Sequence, residues 1–171
     1  MVRRRLTGLI ILGLLACNTV YYVVAGRLSV ALDSVAWYAL LILFALEGTP
    51  ISRRPGALAL VHAVRALATL AIAATAALYV REKEWLDAAN LLLWIAVVVL
   101  LEIQVRLPAR VSAHARAFAR TALLLYTGLG ALALVWLARG EWMDAWDAAL
   151  WLTAFALLEL GLLRADQKIF V

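Results

Sequence analysis

Glu84-Trp85-Leu86-Asp87-Ala88-Ala89-Asn90-Leu91-Leu92-Leu93-Trp94-Ile95-Ala96-Val97-Val98-Val99-Leu100-Leu101-Glu102 is an apolar run with acids at both ends. A helix needs about 20 residues to cross a hydrocarbon core roughly 30 Å thick, and this run has that length. It is too long and too little alternating for a barrel strand, so its backbone groups can be satisfied in lipid only as a helix. The run recurs without a gap as Glu141-Trp142-Met143-Asp144-Ala145 through Trp151 to Leu157-Leu158-Glu159. A weaker copy, Leu32-Asp33-Ser34-Val35-Ala36-Trp37 leading to Leu46-Glu47, is shorter by one residue between Asp and Glu. A pattern repeated in this way reads as one supersecondary unit used three times.

Working outward, apolar runs between charged clusters give six expected spans, over approximately 6–25, 28–46, 58–80, 88–105, 117–138 and 145–163. The expected fold is all-α: an integral membrane helical bundle of six transmembrane helices, built as three repeated hairpins over about 1–54, 55–110 and 111–171 in one membrane domain. Composition agrees. Of 171 residues, 67% are hydrophobic and 16% charged, and the mean hydropathy is +0.95. Soluble domains are roughly 45–50% apolar and about 25% charged, so a water-soluble monomer is excluded. Arg3-Arg4-Arg5 followed by an apolar run to Cys17 has the look of a secretory signal. The run continues through Val20-Tyr21-Tyr22-Val23-Val24, however, which favours an uncleaved first span.

Orientation follows from Lys and Arg. One side of the six-span arrangement holds Arg3, Arg4, Arg5, Arg53, Arg54, Arg65, Arg106, Arg110, Arg116, Arg120, Arg164 and Lys168; the other holds Arg27, Arg81, Lys83 and Arg139. Twelve against four places both termini in the cytoplasm under the positive-inside rule, in a bacterial-type inner membrane. The opposite side carries Asp33, Glu82, Glu84, Asp87, Glu141, Asp144 and Asp147, and the rings of Tyr21, Tyr22, Trp37, Tyr38, Tyr79, Trp85, Trp136, Trp142 and Trp146. Those rings are expected as an outer aromatic belt. The net charge of +5 punctuates apolar runs instead of concentrating on a soluble face, so the partner it implies is the lipid bilayer and not nucleic acid.

Fourteen residues separate Asp87 from Glu102, and Asp144 from Glu159, which is roughly 21 Å of helix at about 1.5 Å per residue. At least one acid of each pair therefore stands at or inside the hydrocarbon boundary and must face protein or water. At about 100° per residue, Asp87, Trp94, Val98 and Glu102 share one stripe, as do Asp144, Trp151, Phe155 and Glu159. Arg5, Arg65 and Arg120 begin the odd-numbered spans, level with Glu47, Glu102 and Glu159 on antiparallel neighbours. Interhelical ion pairs are the leading expectation, with Arg free to snorkel where a pair is imperfect. The alternative is that the three Glu bind a cation or relay protons in a compact transporter or channel.

Ten alanines between Ala57 and Ala77, and Gly128 and Gly130 in span five, mark spans three and five as close-packing elements. His62 and His114, near the inner starts of those spans, give a further alternative: a bis-His haem b electron carrier. Ser29, Ser34, Ser52 and Ser112 have no triad partners, and the chain has no glycine-rich phosphate loop and no metal-protease histidine pair. Cys17 is the only cysteine, which excludes an intramolecular disulfide and a thiolate cluster. Function accordingly reads as a non-catalytic accessory or structural subunit, or a homo-oligomer, with a membrane-protein partner or a second copy beside it.

Overall fold

The computed structural model describes residues 2–46 and 55–159 of the chain. They form seven helices, and no strand occurs among the described residues. The helices are α1 (Val2–Ala25), α2 (Leu28–Leu46), α3 (Pro55–Glu82), α4 (Trp85–Arg106), the short α5 (Pro108–Ala113), α6 (Ala115–Arg139) and α7 (Trp142–Glu159). Four contain stretches long and apolar enough to cross a membrane: Leu6–Ala25, Ala59–Glu82, Trp85–Gln104 and Ala115–Arg139. The apolar part of α2, Leu28–Phe44, is shorter, and α7 carries Asp144, Asp147 and Glu159.

The chain divides into two compact units, Met1–Leu78 with Thr153–Val171, and Tyr79–Leu152. In the first, α1 and α2 pack as an antiparallel pair. The Tyr38 hydroxyl donates to the Leu12 carbonyl at 3.3 Å, which fixes their register. Thr19 donates to the Leu15 carbonyl and Thr75 to the Ala71 carbonyl, both at 2.9 Å. This bond back to the preceding turn satisfies the hydroxyl within the helix itself. In the second unit α4 packs on α6. A Cβ on Gly128 would stand 3.2 Å from Leu93 Cδ1, so the missing side chain is what admits Leu93 this close. Gly130, two residues on, faces open space.

In a bilayer the hydrophobic driving force between such apolar helices would be absent, leaving close packing of side chains to hold them together. The buried residues are arranged accordingly. Trp37, Trp94 and Trp151 are all buried, and Trp94 and Trp151 meet edge to face with centroids 6.4 Å apart. The residue interval that separates these tryptophans also separates buried Leu15, Ile72 and Leu129, and buried Tyr22, Tyr79 and Trp136.

The expected outer belt is thus divided. Tyr22, Trp37, Tyr79 and Trp136 belong to the core, whereas Tyr21, Trp85, Trp142 and Trp146 are exposed. The buried rings of Tyr79 and Trp136 sit one turn before a chain reversal. Trp136 packs with Ala145 and Ala148, and with Leu86, Leu132 and Ala133 around them. Span five, expected as a close-packing element, packs closely along one face only. Only 11% of the apolar window of α6 is buried, half the share in the other three long spans. One face of α6, holding Leu129 and Trp136, is packed, while Leu123, Leu124 and Leu134 are exposed.

Candidate functional site

The acids and bases expected to carry function lie in different settings. Asp87 and Asp144 are half-buried in the first turns of α4 and α7. A carboxylate there is favoured by the unpaired N–H groups and by the positive end of the helix dipole. Asp33 is half-buried within α2. If the copies are matched by their buried tryptophans, Asp33 stands opposite Asn90 and Asp147; if they are matched by acids, it stands opposite Asp87 and Asp144. The Oδ1 of Asn90 is buried with no hydrogen-bond partner among the described residues.

Glu102 ends the stripe that begins at Asp87. The stripe runs from buried Trp94 through half-buried Val98 to an exposed carboxylate. That carboxylate is ion paired with Arg106 on the next turn of the same helix, and Arg106 Nε also donates a hydrogen bond to it. The side chains are 48% and 72% exposed. The order is the favourable one, with the acid preceding the base by four residues. At that exposure the pair contributes a few tenths of a kcal/mol, well below the value of a desolvated bridge. The i, i+4 spacing of Glu102 and Arg106 is the sequence signal for this pair.

Arg65 is half-buried on α3, with its guanidinium over the Phe44 ring at 6.0 Å from the centroid, in range of a weak cation–π contact. Its carbonyl accepts a hydrogen bond from the Thr69 hydroxyl at 2.9 Å. Arg120 is exposed on the second turn of α6. Glu47 lies outside the described residues, as do Arg53, Arg54, Arg164 and Lys168. Arg5 lies in the first turn of α1 and Glu159 ends α7, but their side chains lie outside what is described.

His62 is exposed near the start of α3. His114 is exposed at the break between α5 and α6, its Nδ1 3.1 Å from the Arg110 carbonyl. The backbone around it explains the break. Leu107 N–H closes α4 on the Ile103 carbonyl, Pro108 opens α5 at the position where its missing N–H costs nothing, and His114 N–H returns to the Arg110 and Val111 carbonyls. The expected spans 88–105 and 117–138 leave this segment unassigned, although Pro108 is a sequence signal for a helix start. Among the described residues, no group of three or more His, Cys, Asp or Glu could hold a metal ion. No family model, no curated protein and no solved structure matches the chain.

Proposed function

We propose that this chain is a small multi-pass membrane protein with six spans in three repeated hairpins, both termini cytoplasmic, serving as a non-catalytic structural or accessory subunit or as a homo-oligomer. One observation carries the reading: the face of α4 leading to Glu102 is buried at Leu91 and Trp94, and the carboxylate at its end is neutralised by its own helix neighbour, Arg106. A transport site needs acids that face a common wet path, and an exposed pair at a helix end performs a fastening and solubilising role instead.

The test is flux. Purified protein in liposomes is expected to pass H⁺, Na⁺ or K⁺ no faster than empty liposomes, and Glu102→Gln should leave both that baseline and the folded yield unchanged. A cation flux that Glu102→Gln abolishes at undiminished yield overturns the proposal in favour of transport. Orientation is checked separately in a Cys17→Ser background, where Ser112→Cys should resist a membrane-impermeant maleimide in intact cells and Gly140→Cys should react.

A further inference from the structure

We infer that the connection between α4 and α6, formed by α5 and the arginines on either side of it, is a binding site for the phosphodiester headgroups of anionic phospholipids. The inference rests on the membrane reading above. The chain contains no carboxylate between Glu102 and Glu141, while Arg106, Arg110, Arg116 and Arg120 fall within that interval. Glu102 engages Arg106, which leaves the positive charge of Arg110, Arg116 and Arg120 without a local carboxylate in the sequence. All three side chains are exposed. Arg116 and Arg120 stand one helical turn apart in α6 and so share one face of it. Each guanidinium is a planar fork that matches two oxygens of a phosphate, and it keeps its charge at any physiological pH.

The setting selects a lipid over a soluble anion. α4 and α6 are among the long apolar helices, and the arginines cluster where both reach their inner ends. Leu107, 41% exposed, starts the segment, and no residue of α5 is buried. An exposed apolar side chain beside snorkelling arginines fits the boundary between acyl chains and headgroups. The turns at the other ends of these helices have the opposite balance, with Glu82, Glu84 and Asp87 near one and Glu141, Asp144 and Asp147 near the other. The phosphate preference is therefore confined to one side of the protein.

The experiment titrates the delipidated full-length chain in a neutral maltoside detergent with phosphatidylglycerol, phosphatidylcholine or inorganic phosphate, and reads retained adducts by native mass spectrometry. Phosphatidylglycerol is expected to be retained at least about tenfold over phosphatidylcholine, with the preference falling as salt is raised. Each arginine neutralised should lower it about fivefold, so Arg110→Gln with Arg116→Gln removes most of it, and the Lys versions keep a large part. Equal retention of the two lipids overturns the inference. So does a preference that survives the double substitution, or inorganic phosphate competing as well as the lipid does. Should the Gln variants fold poorly, the salt series on the unaltered chain still decides. If Ser112→Cys reacts from outside the cell, the orientation reading fails while this binding result stands.

Discussion

The turn joining α3 to α4 and the turn joining α6 to α7 make the same hydrogen bonds with different residues at the point of reversal. In the first, Glu84 N–H bonds to the Tyr79 carbonyl at 2.9 Å and Lys83 N–H to the Val80 carbonyl at 3.2 Å. In the second, Glu141 N–H bonds to the Trp136 carbonyl at 2.9 Å and Gly140 N–H to the Leu137 carbonyl at 3.1 Å. This pair of bonds is the Schellman arrangement, which caps a helix by putting one residue in the left-handed region. Gly140 has φ 79° and Lys83 has φ 62°. Glycine adopts that conformation freely, whereas a side chain there costs on the order of 1–2 kcal/mol. The Glu84 and Glu141 carbonyls then accept the first bonds of the next helices, from Ala88 and Ala145. The same capping geometry is thus kept at Lys83 without a glycine, and beside the Gly140 turn buried Trp136 packs with its neighbours.

Removing that packing should have the largest effect. Trp136→Ala empties the cluster formed with Ala145 and Ala148. In water such a deletion costs about 3–5 kcal/mol, but in lipid the transfer part is small and the lost contacts remain, so roughly 2–3 kcal/mol is expected. Trp136→Tyr, which installs the residue found at the matching point before the other turn, should cost under about 1 kcal/mol. Reversible unfolding in mixed dodecyl maltoside and SDS micelles, followed by circular dichroism, measures both. If Trp136→Ala proves as mild as Trp136→Tyr, the hydrogen bonds of the turn and not the ring hold the hairpin, and the comparison of the two turns loses its basis.

Exchanging the turn residues comes next in size. Gly140→Lys should destabilise by about 1 kcal/mol in the same assay, and Lys83→Gly should stabilise by about 0.5–1 kcal/mol, the relief of strain being partly offset by the greater freedom of glycine in the unfolded chain. The double exchange should return close to the starting stability, because the sites are independent. A destabilising Lys83→Gly would mean that the stem of Lys83 packs on the helix end in a way that outweighs its backbone strain.

Helices were legible from hydropathy because each apolar run in a bilayer has one conformation open to it. The expected 28–46 coincides with α2, whereas the expected 58–80 extends to Pro55–Glu82 as α3. At its C-terminal end the expected span stops before Arg81, whereas the backbone hydrogen bonds of the helix continue through it; at its N-terminal end the helix starts at Pro55, a residue suited to the first helical position. Rings were harder to place. Tyr79 and Trp85 look equivalent as interfacial residues in the sequence, but Tyr79 is buried and Trp85 is 63% exposed, a difference that only the three-dimensional course of the chain decides. The ion pair that Glu102 makes is local, because a long side chain at a helix end readily reaches the next turn of its own helix.

The smallest expected effect separates two further glycines in α6, where neither needs a left-handed backbone. Gly130→Ala meets open space and should gain some of the roughly 1 kcal/mol by which alanine exceeds glycine in a helix. Gly128→Ala places a methyl group 3.2 Å from Leu93 Cδ1, so a flexible, half-buried side chain has to yield by a few tenths of an ångström. That movement should cancel part of the same gain, leaving the two variants a few tenths of a kcal/mol apart with Gly130→Ala the more stable. A gain at Gly128 equal to that at Gly130 would show that α4 and α6 are not in close contact at Leu93. Glycine would then be required in this unit only where the backbone turns left-handed, as at Gly140.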